Sequence, residues 1–146
     1  MSYNINNRDK RVMDFLRRSA IDNKGYGNAK ICSAISIKGK IISLGHNSSK
    51  THPFQSLYGK NDEAVYLHAE TSAISNSLNH LNKTELDKST IYVYRVKRPR
   101  NNTKVWTSGL AKPCKGCMRA ITDFNIKRIV YSTNEEDCFE VYKRTN

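Results

Sequence analysis

The order of apolar patterns along the chain predicts an α/β fold, a three-layer α/β/α sandwich on a mixed sheet of about five strands. Three observations carry that expectation. Segments with helical spacing alternate with short β-branched runs, the arrangement that puts helices on the faces of a central sheet and not in a bundle. The chain is 146 residues long, enough for one core and not two. It also holds no internal repeat, low-complexity tract or Pro/Gly-rich linker, so residues 1–146 read as a single domain.

The elements follow in order. Residues 8–21 place Val12, Phe15 and Leu16 on one side with Ala20 near them, and Arg11, Arg17 and Arg18 elsewhere, which reads as a short amphipathic helix. Residues 22–28 (Asp-Asn-Lys-Gly-Tyr-Gly-Asn) break it. Two β-branched runs, 29–37 and 41–45, flank Lys38-Gly39-Lys40 and form an antiparallel hairpin. Residues 46–61 have no period, and a loop of that length in a compact domain points to function or mobility. Ala73, Ile74 and Leu78 stand at helical intervals within 68–80. Ile91-Tyr92-Val93-Tyr94-Arg95-Val96 is the third strand, its two tyrosines forming one face against a helix. After a basic loop to about Lys112, a helix opens at Pro113 and runs to about Phe124, and residues 126–131 are the fourth strand. Residues 138–142 are a fifth strand or a terminal helical turn. As a strand they must pair antiparallel with 126–131, because a parallel return needs a dozen or more residues.

Composition narrows the function. Lys and Arg number 25 against 13 Asp and Glu, a formal charge of +12, and mean hydropathy is −0.68. No apolar run approaches the roughly 20 residues that span a bilayer. Met1-Ser2-Tyr3-Asn4-Ile5-Asn6-Asn7 lacks the apolar stretch of a signal peptide, so a cytoplasmic, non-membrane protein is expected. Four cysteines are too few for a disulfide scaffold of this length, and a close pair in a reducing compartment reads as metal-binding or redox-active. The positive charge is spread along the chain. It suits a nucleic-acid partner, an anionic small substrate or simple solubility, and does not choose among them.

Two segments carry chemistry. In Pro113-Cys114-Lys115-Gly116-Cys117 the cysteines stand three apart, so in a first helical turn both sulfurs share a face and can reach one ion. A helix N-terminus stabilises the thiolate that zinc binds; a redox dithiol is the competing reading. In His68-Ala69-Glu70, a helix start disfavours imidazolium, and neutral imidazole is the ligand form. His68 with Cys114 and Cys117 would give three protein ligands and one open position, the stoichiometry of a catalytic and not a structural zinc. From the helix start, Glu70 can reach a water in that position and move its proton.

At these residues the chain resembles the zinc-dependent cytidine and deoxycytidylate deaminase superfamily, whose His-x-Glu and Pro-Cys-x-x-Cys signature it carries. The resemblance covers about residues 29–132 in element order and implies a cytidine-deaminase-like sandwich. It implies that His68, Cys114 and Cys117 hold Zn2+ and that Glu70 is the general acid/base. Activated water would then attack C4 of cytosine or C6 of adenine, Glu70 would protonate the ring nitrogen, and ammonia would leave. Asn47 matches the position where relatives often hold a sugar hydroxyl, an ordinary Asx turn being the alternative. Ala69 matches a backbone contact to the base. A cytidine, deoxycytidine or dCMP substrate is expected, with single-stranded DNA or tRNA, or a non-catalytic zinc-stabilised nucleic-acid-binding role, as rivals. Relatives commonly form dimers or tetramers.

Two departures bear on sub-family. The 45 residues between His68 and Cys114 (69 to 113) exceed those of compact relatives, the extra length falling at 79–88 and 97–112. The short turn before Cys138 resembles the branch of free-nucleoside cytidine deaminases, whereas Gly45-His46-Asn47 with a long following loop looks more like the deoxycytidylate branch. Elsewhere, Arg95, Lys97, Arg98, Arg100 and Lys104, followed by Trp106, suit a phosphate groove with a stacking aromatic or a plain solvated loop. His52 reads as a surface histidine that can meet substrate; His46 and His80 read as surface residues. Cys32 and Cys138 read as small core residues.

Overall fold

The computed structural model describes residues 5–23, 29–47, 68–98 and 104–144. Among these the elements are α1 (Asn7–Asp22), β1 (Ala29–Ile37), β2 (Lys40–His46), α2 (Ala69–Ser77), a 3-10 turn (Glu85–Lys88), β3 (Thr90–Lys97), β4 (Thr107–Gly109), α3 (Lys115–Asp123), β5 (Arg128–Ser132) and β6 (Phe139–Lys143). The main sheet runs β2-β1-β3-β5-β6, and β4 joins it by pairing with β3. This is the expected mixed α/β sheet. Its sixth strand, β4, lies in the stretch read as irregular, where only three residues pair and leave no alternation to detect.

β3 organises the sheet. β1 lines one edge along its whole length. The other edge is shared: β5 pairs in parallel with Thr90–Val93, and β4 pairs antiparallel with Arg95–Lys97. Both faces of β3 are buried through Ile91–Tyr94, so apolar and aromatic residues follow one another there without a charged one between them. Ile91 and Val93 face a core formed with Ala73, Ile74, Ala120 and Ile121 of α2 and α3. Tyr92, Tyr94 and Val96 face the opposite core with Val12, Met13, Leu16 and Ala20 of α1. The sequence-predicted tyrosine face is therefore real, and its helix is α1.

Three details are set by the structure. Met13, not Phe15, fills the α1 core: Met13 is fully buried and Phe15 is 39% exposed. At 100° per residue Asp9, Met13, Leu16 and Ala20 share a stripe from which Phe15 is rotated away. Helix α3 opens two residues later than expected, with Cys114 as its N-cap and Pro113 outside it. The terminal segment is a strand, and β6 pairs antiparallel with β5 as the short turn requires. Cys32 is buried as expected, whereas Cys138 is only half-buried because it lies in the turn before β6. No helix among the described residues is long and apolar enough to cross a membrane.

Asp9 is the one carboxylate wholly enclosed in the α1 layer. Its Oδ1 accepts from Tyr92 OH at 2.7 Å and Arg128 Nη1 at 2.9 Å. Its Oδ2 accepts from Arg128 Nη2 at 2.6 Å and from the Asn6 N–H at 3.2 Å, half of a reciprocal capping box. Burial pushes this carboxyl up, but the hydrogen bonds from Arg128, Tyr92 and Asn6 outweigh it and hold Asp9 below its ordinary value. A depressed carboxyl stabilises the fold above its unfolded pKa and loses that contribution as pH falls through the native one. Replacing Arg128 with Met should therefore cost about 3 kcal/mol near neutrality, by stranding a buried charge. That deficit should shrink on acidification as Asp9 protonates. Urea unfolding of both proteins from pH 7 down to the acid limit measures it.

Candidate active site

The three candidate ligands come from two helix starts. His68 is the N-cap of α2 and Cys114 the N-cap of α3, and neither side chain caps its own helix. Those positions ordinarily hold Ser, Thr, Asp or Asn, whose oxygens bond back to the first turn. Here the side chains turn to each other. His68 Nδ1 lies 3.7 Å from Cys114 Sγ and 3.3 Å from Cys117 Sγ, and the three ligand atoms lie within 4.8 Å of one another. Among the described residues this is the one group of three such side chains placed to hold a metal ion.

Electrostatics prepare the cluster for a cation. Hydrogen bonding to Cys117, with further help from His68, lowers the Cys114 thiol to about 3 against the opposing effect of burial. The hydrogen bond with Cys114 and burial push the Cys117 thiol well above its ordinary range. One imidazole and two sulfurs, the first already a thiolate, match the donor set of a zinc site in which one position is left to solvent.

Glu70 sits in the first turn of α2, buried at 6% exposure, and hydrogen-bonds the Cys117 thiol. Burial raises its carboxyl above the ordinary value. A buried carboxyl beside the ligand trio is a group that can take up a proton and give it back.

Two neighbours set where α2 begins. Gly45 of β2 lies so close to the helix that a methyl there would come 2.4 Å from both the Ala69 carbonyl oxygen and the Ala73 amide nitrogen. Ser43 Oγ donates to the Ala73 carbonyl at 2.7 Å, and Asn76 Nδ2 donates back to the Leu44 carbonyl at 2.8 Å. These positioning residues were not singled out in the sequence; an isolated glycine near a strand end was their one signal. Asn47, just past β2, holds the start of β1: its Oδ1 accepts from Ile31 N at 3.0 Å and its Nδ2 donates to the Ala29 carbonyl at 3.4 Å. Ala69 is fully buried at the first position of α2.

The remaining candidates divide. His46 is not a free surface residue: it is half-buried, with Nε2 3.0 Å from Ser19 Oγ, and burial lowers its pKa. His80 is exposed. Arg95 lies in β3 as its strand assignment predicts, and Lys97 extends that strand and does not begin the loop, because β1 and β4 pair with both on either side. Lys30 Nζ and the Arg98 guanidinium lie 4.9 and 4.5 Å from the centre of the Trp106 ring, so cations already occupy the aromatic proposed for base stacking. His52 and Arg100 lie outside the described residues.

A metal-ligand trio at two converging helix starts, flanked by a buried carboxyl group in the first turn of α2, defines a candidate metal centre. A model of the cytidine and deoxycytidylate deaminase zinc-binding region matches residues 6–133, and the chain belongs to that family. Among solved structures it is similar to the 1.6 Å crystal structure of cytidine deaminase from Burkholderia pseudomallei, at 18% identity and a TM-score of 0.58 over 91% of each chain. That likeness establishes the fold. No curated protein matches the sequence significantly.

Two outcomes test the site. Zinc added to metal-stripped protein should bind one ion per chain, and Cys114→Ser or His68→Ala should abolish that stoichiometry in a colorimetric titration. Gly45→Ala should destabilise the fold by about 1–3 kcal/mol through overpacking against α2, and should weaken zinc binding with it. Calorimetric unfolding and the same zinc titration measure both effects.

Proposed function

We propose that the protein is a zinc-dependent hydrolytic deaminase of a cytosine-bearing nucleoside or nucleotide. The observation that carries this reading is the buried carboxyl of Glu70 against the His68–Cys114–Cys117 cluster, a proton carrier beside an electrophile's seat. Zinc bound there supplies the Lewis acidity that makes water nucleophilic at neutral pH.

The chain's own residues do the rest. His68, Cys114 and Cys117 hold the ion. Glu70 Oε takes the proton from the attacking water, passes it to the ring nitrogen next to the carbon under attack, and carries the next proton to the departing amine. Water adds at the carbon and the C–N bond breaks, so the products are the uracil-type base and ammonia. Burial of Glu70, which raises the carboxyl above its ordinary value, favours the protonated form that this traffic needs in turn. The Ala69 N–H, in a first turn that has no intrahelical acceptors, is available to a base carbonyl. Asn47 keeps a second amide N–H beyond the one given to Ala29, and that proton can meet a sugar hydroxyl.

The antiparallel β5–β6 pair supports a free nucleoside over a polynucleotide substrate, since it resembles the branch of free-nucleoside cytidine deaminases. The cations engaged on Trp106 point the same way. A soluble cytoplasmic enzyme, associating into dimers or tetramers as relatives do, accords with this reading.

Glu70→Gln should release no ammonia from cytidine, deoxycytidine or dCMP while binding zinc as the parent does. Substantial residual turnover overturns the role assigned to Glu70. A panel adding oligonucleotides and tRNA decides substrate class: a polynucleotide enzyme would bind them with affinity falling steeply as salt rises.

A further inference from the structure

The ends of the strands farthest from the ligand trio border an open surface cavity of about 320 Å3. Helix α3 returns from the carboxyl end of β3 to the start of β5, so its N-terminus and the trio lie at one end of the sheet. The start of β3, the start of β5 and the end of β1 lie at the other. Strands of this length put on the order of 20 Å between the two ends.

The cavity has the features of an anion site. Arg8, Lys38, Lys88 and Arg128 line it, with Asp9 the one acid among the lining residues. Both oxygens of Asp9 are consumed by Arg128, Tyr92 and the Asn6 N–H, so its charge is spent inside the protein. Three cations remain unneutralised around the cavity. The N-terminus of the 16-residue helix α1 opens on it and adds its positive dipole end.

An independent observation points to a missing partner. Ser36 lines the cavity, is 2% exposed, and its buried Oγ has no hydrogen-bond partner. A buried hydroxyl is nearly always satisfied, so this one is a donor lacking an acceptor. The turn beside it is shaped to keep a cation in place. Lys38 and Gly39 both have positive φ (53° and 83°), as a tight two-residue hairpin turn requires, and a methyl on Gly39 would come 2.6 Å from Arg8 Nε. The bare Gly39 surface is where the Arg8 side chain lies.

We propose that this cavity is a phosphate-binding site, separate from the zinc site, that takes a free phosphate or the phosphate of a small phosphomonoester. Ser36 Oγ donates to a phosphate oxygen, and Arg8, Lys38 and Lys88 neutralise the dianion.

Calorimetric titration of the zinc-loaded full chain at constant ionic strength tests this, with inorganic phosphate and ribose 5-phosphate as probes and ribose as the neutral control. Saturable binding of one phosphate per chain is expected, weakened about tenfold by Lys38→Gln with Lys88→Gln, the scale of one lost charge-assisted hydrogen bond. Zinc content, held by other residues, should be unchanged in that variant. Ser36→Ala separates a ligand contact from a structural role: it should raise the melting temperature without phosphate, by removing an unsatisfied hydroxyl, yet reduce the melting shift that phosphate produces. Tighter binding of ribose 5-phosphate than of phosphate assigns the site to a phosphomonoester, and equal binding assigns it to the free ion. Absence of saturable binding up to about 10 mM overturns the proposal, as does equal affinity in the double-lysine variant, which would put the phosphate elsewhere.

Discussion

The parallel pairing of β3 with β5 is the constraint from which the site follows. Parallel neighbours need a crossover, and the chain must travel back along the sheet before it can enter the second strand. Helix α3 is that return path, so it has to begin at the carboxyl end of β3. Helix α2 enters β3 from the other side of the sequence and also begins at that end. Two positive helix termini are thereby set side by side, and the residues at their caps, His68 and Cys114, meet although 46 positions apart. That convergence puts Cys114 within reach of Cys117 and His68, whose hydrogen bonds lower its thiol.

Convergence alone would leave the geometry loose. The β2–α2 contact removes the slack. With no side chain at Gly45, strand and helix backbones approach until the Ala69 carbonyl and Ala73 amide lie against the strand, and Ser43 and Asn76 tie them in opposite directions. Sliding α2 along β2 would break both hydrogen bonds at once and move His68 and Glu70 together. The pair of residues that must act on the same small molecule is therefore fixed to one rigid element.

Much of this was legible in the sequence, and for physical reasons. β3 announced itself because Ile91-Tyr92-Val93-Tyr94 puts aliphatic side chains on one face and aromatic ones on the other, and α3 because the Pro-Cys-x-x-Cys start combines a helix opening with ligand spacing. His68, Glu70, Cys114 and Cys117 were nameable since their chemistry depends on residue type at short spacing. What periodicity could not show were features set by distant partners. The Phe15 and Met13 roles depend on which side of α1 meets the tyrosines of β3. β4 exists because three residues find a vacant stretch of β3 edge above the end of β5, which nothing local in Thr107–Gly109 encodes. Gly45 mattered through its neighbour across space, and Lys97 looked like a loop cation until two strands closed on it.

The ion pair between Asp9 and Arg128 joins positions 119 residues apart. During synthesis α1 emerges with its capping box ahead of β1 and β3, which give it most of its docking face, and the arginine that matches its carboxylate follows later still. A chain cut before β5 would keep the apolar berth of α1 but bury a carboxylate without its guanidinium. The topology thus leaves the locking of this layer to a residue made well after the layer itself.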